Sequence, residues 1–219
     1  MIRRATAVEA ALDIIDTDGL EAFSLQRLAN RLGVRVPSLY YHFVDKEDIL
    51  AAVARYIAGK SVPRPRQPPN EEWPEYFVAL ALNFRESVLR HRNAAPILLR
   101  YLPREILADG YEDAARLLAD AGVPVQLHAR ILDGLETLSI GAVLIEAAQR
   151  PRRRKAGFPG VKAETHPHLA AALAGNDQTV KALYADRIRN FLRGISMTNA
   201  PSLGQTSASF FGETAWQSF

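Results

Sequence analysis

Basic, aromatic and short polar side chains are concentrated in the stretch FSLQRLANRLGVRVPSLYYHF, which begins at Phe23. Its basic residues are Arg27, Arg31 and Arg35, and it contains no acidic residue. Guanidinium groups donate hydrogen bonds to phosphates, and polar side chains of a helix read base edges in the major groove. The residue types and their spacing therefore predict a segment that binds DNA.

Two short helices joined by a sharp turn are expected to position these side chains. The first helix begins at Ser24, whose hydroxyl can cap the free N–H groups. Gly33 can adopt the left-handed conformation that ends a helix. Pro37 is suited to the first turn of the following helix, and Leu39 and Phe43 would pack that helix against the core. This pattern indicates a helix-turn-helix, although spacing alone leaves an ordinary two-helix corner equally open. The first helix has one apolar stripe at helical spacing, formed by Leu25, Leu28, Ala29 and Leu32.

The segment GVRVPSLYYHFVDKEDIL resembles the recognition helix and the following cap of the tetracycline repressor (TetR) family. The likeness rests on the glycine-valine turn, on Pro37 ahead of Leu39, on the Leu-Tyr-aromatic-His-Phe run, and on Lys46 before an acidic and apolar helix start. The resemblance implies contacts with base edges or the thymine methyl for Gln26, Arg35, Val36, Pro37, Ser38 and Tyr41. It implies phosphate contacts for Ser24, Arg27, Tyr40, His42 and Lys46.

The composition is that of an ordinary globular protein, with 219 residues, 48% hydrophobic and 23% charged. The absence of cysteine excludes disulfides, thiolate nucleophiles and cysteine-ligated zinc, which favours a cytoplasmic protein. No segment approaches the ~18 apolar residues of a membrane span, and no signal pattern is seen at the N-terminus. The net charge of +3 permits nucleic-acid binding without proving it.

Apolar periodicity predicts an all-α fold in two parts. Residues 1–60 form an N-terminal three-helix helix-turn-helix head, in which Arg3 and Arg4 could reach phosphates and Asp45 caps a following helix over 45–59. Residues 61–72 form a proline-rich connection, residues 73–194 a larger C-terminal helical domain, and residues 195–219 a tail without a structural prediction. The other predicted helices span 3–18, 73–90, 94–102, 104–121, 125–149, 167–174 and 176–193.

The resemblance implies that the larger domain binds a small-molecule effector and forms a homodimer through the helices at 125–149 and 176–193. Gly141 and Ala142 would allow close approach of the paired helices. Where the tetracycline-repressor subgroup presents its histidine and acidic ligands to a magnesium–drug chelate, this chain aligns Val62, Leu98 and Ile145, with Glu146 one residue away. We therefore expect a largely apolar inducer, with no metal or other cofactor.

The expected function is that of a repressor, not an enzyme, released by its inducer from a palindromic operator in double-stranded DNA. Asp133 and Glu136 are three apart and could act as an acid–base pair, which keeps a small-molecule-binding enzyme open. A helical protein-interaction module, anchored by Tyr40, Tyr41 and Phe43, also stays open. His166 and His168 lack a third metal ligand, and the basic run at 150–155 is expected to be a solvated loop.

Overall fold

The computed structural model describes residues 2–60, 64, 72–101, 108–149 and 160–198, and every regular element within these ranges is helical. The head contains α1 (Arg4–Asp18), α2 (Leu25–Leu32) and α3 (Lys46–Arg55), which continues as a wider π-helical turn over Tyr56–Lys60. The larger domain contains α4 (Trp73–Arg90), α5 (Ile97–Tyr101), α6 (Ala108–Asp120), α7 (Val125–Ala148), α8 (Pro167–Ala174) and α9 (Val180–Thr198). The all-α prediction is confirmed.

The predicted helix ends of the head are confirmed by their hydrogen bonds. Ser24 Oγ accepts from the Arg27 N–H at 3.2 Å, and Asp45 Oδ1 accepts from the Asp48 N–H at 2.7 Å. Gly33 ends α2 in the left-handed conformation, with φ of 64°, where a side chain would be strained. These three local devices fix the directions in which the chain enters and leaves the reading segment.

The second helix of the reading segment differs from its prediction. Val36–Ser38 forms a single 3₁₀ turn, and Leu39 to His42 continue as hydrogen-bonded turns. In most of these bonds the N–H of residue i+3 donates to the carbonyl of residue i, as Ser38 N–H donates to Arg35 O at 2.9 Å. Short 3₁₀ turns are common connectors between helices, and here the turn links the end of α2 at Gly33 to the Asp45 cap of α3. We call Val36–His42 the reading turn.

The helices of the larger domain follow the predictions with shifted ends. The helix expected over 176–193 begins at Val180, because Thr179 Oγ1 accepts from the Ala182 N–H at 3.1 Å and so caps it later. The piece expected over 94–102 is helical only over Ile97–Tyr101. Residues 102–107, most of the connection, the basic run and the tail from 199 onward lie outside the described residues. None of the helices described is long and apolar enough to cross a membrane.

Close packing of α7 on α9 depends on a glycine. A Cβ on Gly134 would stand 2.0 Å from the Phe191 ring, so only a residue without a side chain allows this approach. The buried stripe of α7 faces α4, α6 and α9, and comprises Leu127, Ile131, Leu135, Ser139 and Val143. Ile145, near the C-terminal end of α7, is 64% exposed in the single chain.

Candidate DNA-binding surface and ligand cavity

The reading turn presents aromatic side chains to solvent while its apolar anchors face the core. Leu39 and Phe43 are buried, whereas Tyr40 is 54% and Tyr41 85% exposed. Tyrosines this exposed are unusual on a surface without a partner, since their rings would ordinarily cover apolar neighbours. The turn is therefore a stable corner of the head core that holds flat, hydrogen-bonding side chains outward.

The side chains predicted to read bases differ in their exposure. Gln26, Arg35, Pro37 and Tyr41 are exposed, while Val36 and Ser38 are half-buried. Val36 packs partly against the head core. Within the part of the chain that the structure describes, Arg35 has no ion-pair partner, so its guanidinium is available to a ligand.

Two of the residues predicted to contact phosphates, Tyr40 and His42, belong to the reading turn, and the other three have a partner in the head. The Ser24 hydroxyl caps α2, and the Arg27 guanidinium donates to the Asp18 carboxylate and to Ala22 O at 3.4 Å. Lys46 Nζ lies 5.7 Å from the centroid of the Phe23 ring. Tyr40 is exposed and His42 is half-buried.

Sequence reasoning missed the main support of the reading turn, which is the Arg4 guanidinium. Arg4 Nη2 donates to Asp48 Oδ1 at 2.7 Å, Nη1 donates to His42 O, and the guanidinium lies 4.3 Å from the Phe43 ring centroid. The hydrogen bond from Arg4 holds the pKa of the Asp48 carboxyl below its ordinary value. Arg4 therefore joins the start of α1 to the reading turn and to α3. Periodicity gives no signal for a contact that spans 44 residues.

A cavity of about 230 Å³ lies in the larger domain, between α4, α6 and α7. Ala58 and Gly59 also line it, so the π-helical end of the head contributes one wall. The remaining apolar lining is largely aromatic or branched and comprises Tyr76, Phe77, Leu80, Ala81, Phe84, Ala114, Leu132, Leu135 and Ile140. A concave apolar site with few polar groups is the usual form of a small-molecule site.

The polar groups of this cavity are few, and each is held by a neighbour. Arg64 pairs with Asp113, and the hydrogen bond between them raises the pKa of the guanidinium and lowers the pKa of the carboxyl. Glu136 accepts a hydrogen bond from the Tyr111 hydroxyl. Behind the wall, burial raises the pKa of Tyr184 to about 12, and its hydroxyl donates to Ala81 O at 3.1 Å. These groups would orient a ligand whose body is apolar.

A polar joint connects the larger domain to the head near the end of α4. His91 Nδ1 lies 2.6 Å from the Asp16 carboxylate, and Asn93 donates to Asp16 O at 2.8 Å. In the same turn, Arg92 donates to Glu146 O at 2.7 Å, at the C-terminal end of α7. One short turn thus touches both the first helix of the head and the longest helix of the larger domain.

Parts of α7 and α9 are not covered by the residues that the structure describes. Thr137, Gly141 and Ile145 are exposed at four-residue spacing on α7, and a Cβ on Gly141 would meet nothing within 4 Å. The exposed positions of α9 include Arg187, Asn190 and Gly194. These three residues of α7 are uncharged, which is typical of a helix that packs against another subunit.

The residues considered for catalysis and for metal binding are not brought together in a site within the described part of the chain. Asp133 is exposed and does not line the cavity, whereas Glu136 does. His166 and His168 are exposed, and among the described residues no group of three or more histidine, cysteine, aspartate or glutamate side chains could hold a metal ion. Of the positions aligned with the magnesium–drug ligands, Leu98 is buried, and Val62 lies outside the described residues.

Comparison with known proteins decides the family. Residues 7–53 match the family described as bacterial regulatory proteins, tetR family, and residues 64–196 match the family described as tetracyclin repressor-like, C-terminal domain. The chain belongs to the TetR family of bacterial regulatory proteins. The members of this family are DNA-binding transcriptional regulators, and the larger domain corresponds to the part in which they bind small molecules.

Individual TetR-family relatives cover most of the chain. The class E tetracycline repressor of Escherichia coli is 31% identical over 64% of this chain and 67% of its own length. The class A tetracycline repressor from transposon 1721 of Escherichia coli is 29% identical over 79% of this chain and 80% of its own length. The structure of Streptomyces coelicolor ActR with actinorhodin superposes with a TM-score of 0.75, at 23% identity over 91% of this chain and 99% of ActR, which shows a shared fold.

Proposed function

We propose that this TetR-family protein is a homodimeric repressor that a small molecule releases from a palindromic operator. The observation that carries the proposal is the reading turn, which buries Leu39 and Phe43 and directs Tyr40 and Tyr41 outward beside Arg35. In the dimer two such turns would enter successive major grooves, about 34–36 Å apart. The two-fold symmetry of the protein then requires a two-fold symmetric operator.

The dimer is proposed to form through α7 and α9, packed against their copies as a four-helix bundle. Support comes from the exposed, uncharged stripe that contains Gly141 and Ile145. A glycine with open space around its Cα lets a partner helix approach closely, and the burial of Ile145 by that helix would stabilise the pair.

Within the operator, the exposed Arg35 is proposed to read a guanine, and Gln26, Val36, Pro37, Ser38 and Tyr41 to contact neighbouring base edges or thymine methyls. Ser24, Arg27, Tyr40, His42 and Lys46 are proposed to fix the register through phosphates. Arg27 needs little rearrangement, because an exposed ion pair holds an arginine only weakly.

The inducer is proposed to be a compact, largely apolar molecule that occupies the cavity between α4, α6 and α7. Support comes from the aromatic lining and from the likeness to ActR, whose structure was solved with actinorhodin. Leu98, a buried aliphatic residue, aligns with a position where the tetracycline-repressor subgroup presents a ligand to the magnesium–drug chelate. A magnesium chelate is therefore not favoured as the inducer. The volume of about 230 Å³ is smaller than the ~300–1,000 Å³ typical of such sites, which favours a compact ligand.

Two connections are proposed to carry the inducer's effect to the head. Ala58 and Gly59 line the cavity at the end of α3, and the joint of Asp16 with His91 and Asn93 holds α1. A ligand that binds one separation of the two heads more tightly than the other shifts the dimer away from the operator spacing. A coupling of ~1–3 kcal/mol would change operator affinity by about 5–150-fold.

The proposal is tested by selecting genomic DNA fragments with the purified protein and measuring affinity for the selected site against salt. A repressor that neutralises about 6–10 phosphates loses ~10³–10⁵ in affinity between about 50 and 200 mM salt. A selected site without two-fold symmetry, or a protein that binds it as a monomer, would contradict the proposal. Salt-independent binding of a protein partner through Tyr40 and Tyr41 would favour the interaction module, and turnover abolished by Glu136→Gln would favour the enzyme.

A further inference from the structure

The exposed edge, or mouth, of the cavity includes the guanidinium of Arg64, a residue for which the sequence predicts no role. Arg64 lies in the connection between the head and α4, and its guanidinium reaches over the first turns of α6. A Cβ on Gly110 would stand 3.8 Å from Arg64 Nη2, so the guanidinium lies directly on that helix. One face of Arg64 therefore lines the cavity while its charge is held from outside by Asp113.

The ion pair of Arg64 with Asp113 is one that a ligand can replace at low cost. The Arg64 side chain is 59% and the Asp113 side chain 42% exposed, so water solvates either group when the pair opens. Asp113 also has a second cation, because Arg116 Nη1 lies 3.4 Å from its Oδ1. An anion in the cavity could therefore pair with the Arg64 guanidinium in place of Asp113. The Asp113 carboxylate would stay solvated and would keep its contact with Arg116.

The depth of the cavity favours aromatic rings. Tyr76, Phe77 and Phe84 line the α4 side, and Leu132 and Ile140 line the α7 side. Glu136, also on α7, accepts from the Tyr111 hydroxyl, so a ligand meets hydroxyl and carboxylate chemistry there and a guanidinium only at the mouth. A molecule with a planar body and one acidic group would match this polarity from the inner wall to the mouth.

We propose that the effector is an aromatic acid, whose rings fill the apolar cavity and whose anionic group takes the place of Asp113 at Arg64. The inference rests on the proposed function, in which this cavity holds the inducer. It also assigns Arg64 a role in the response. Arg64 follows the π-helical end of the head along the chain, so a ligand that draws its guanidinium inward acts on the segment that leads to the reading turn.

Two fluorescent probes with the same ring system test the charge. Anilinonaphthalene sulfonate is an anion, and phenylnaphthylamine has the same rings without the sulfonate. Titration of the full chain is expected to show one site per protomer that prefers the anion. Arg64→Gln should weaken the affinity for the anionic probe by about three- to tenfold, since the contact of Arg64 with the sulfonate is partly solvated. The affinity for the neutral probe should be unchanged. Asp113→Asn should raise the affinity for the anionic probe, because it removes the carboxylate that competes for Arg64.

Arg116→Gln is the matched control, because Arg116 also contacts Asp113 but does not line the cavity. It should leave the preference for the anion intact. Ala114→Leu, which fills the cavity, should abolish binding of both probes, and thermal melting establishes that the variant is folded. Equal affinity of the two probes for the wild type, or an unchanged anion affinity in Arg64→Gln, would overturn the inference.

Operator binding separates this inference from the proposed function. Arg116→Gln should retain wild-type operator affinity in the absence of probe, because Arg116 neither lines the cavity nor belongs to the stretch from Phe23 to Phe43. Failure of the wild type to bind any DNA would refute the repressor, whatever the probes do. Normal operator binding together with no preference for the anion would refute only the aromatic acid.

Discussion

The reading turn and the ligand cavity are built in opposite ways. The reading turn lies within 21 consecutive residues of one stretch, and its anchors and caps are neighbours in sequence. The cavity is assembled from the end of α3, from Arg64, and from α4, α6 and α7. A surface of local origin can be altered one residue at a time, whereas a cavity of distant origin changes with the packing of every helix around it.

The largest expected effect is on the anchor of the reading turn. Phe43→Ala removes a buried ring and should lower the free energy of unfolding of the head by ~3–5 kcal/mol. Calorimetric melting should show the loss, while sedimentation shows that the larger domain still holds the dimer. Loss of the dimer together with the head would mean that the two regions do not fold as separately as their construction indicates.

The next largest effect is expected where α7 meets α9. Gly134→Ala places a methyl group 2.0 Å from the Phe191 ring and should cost about 1–3 kcal/mol through overpacking. Thermal melting measures the change, and probe titration tests whether the cavity deforms with it. Gly110→Ala is the matched control, because its Cβ makes only a contact of 3.8 Å and should be tolerated. Equal stability of the two variants would contradict the close approach of α7 and α9.

A comparable effect, on specificity instead of stability, is expected at the reading turn. Arg35→Ala should lose ~1–3 kcal/mol of discrimination at one base pair in each half-site, because a bidentate contact with guanine is removed. Binding to operators mutated at single positions measures this change. A uniform loss for all sequences would assign Arg35 to a phosphate. Lys46→Ala serves as the contrast and should weaken all sites alike and lower the salt slope by about one.

The smallest effect is expected at the Arg4 support. Since Arg4 lowers the pKa of Asp48 in the folded state, the pair stabilises the head above the ordinary pKa of 3.8 and loses that contribution as the pH falls through the lowered value. Because Arg4 is 43% exposed, Arg4→Gln should cost no more than about 1 kcal/mol at neutral pH. Melting at pH 7 and in acid should show wild type and variant converging at low pH. A gap that persists in acid would assign the effect to packing on Phe43 instead.

The sequence predicted the caps and the buried anchors of the head, which depend on near neighbours. The caps at Ser24 and Asp45, the left-handed Gly33 and the buried Leu39 and Phe43 all follow from spacings of a few residues. The all-α fold follows from periodicity in the same way. The family resemblance pointed correctly to the TetR family, and the family matches extend over both parts of the chain.

What could not be predicted depends on contacts between distant residues or on competition within a short segment. The bond from Arg4 to Asp48 spans 44 residues, and the pair of Arg64 with Asp113 spans 49, so no local pattern announces either. The lining of the cavity could not be named for the same reason. The expected helix after Pro37 is instead a 3₁₀ turn, because α and 3₁₀ geometries compete in a short connector and the spacing of Leu39 and Phe43 does not separate them.

The π-helical turn at Tyr56–Lys60 limits how this regulator can be recombined with others. It ends the third helix of the head, yet Ala58 and Gly59 form a wall of the cavity, and Ile57 O accepts a hydrogen bond from Ser87 of α4 at 2.9 Å. A chimera joined within the proline-rich connection would carry part of the proposed effector site into another protein. An exchange of DNA specificity that leaves the effector response intact must instead be made ahead of this turn, within the reading segment itself.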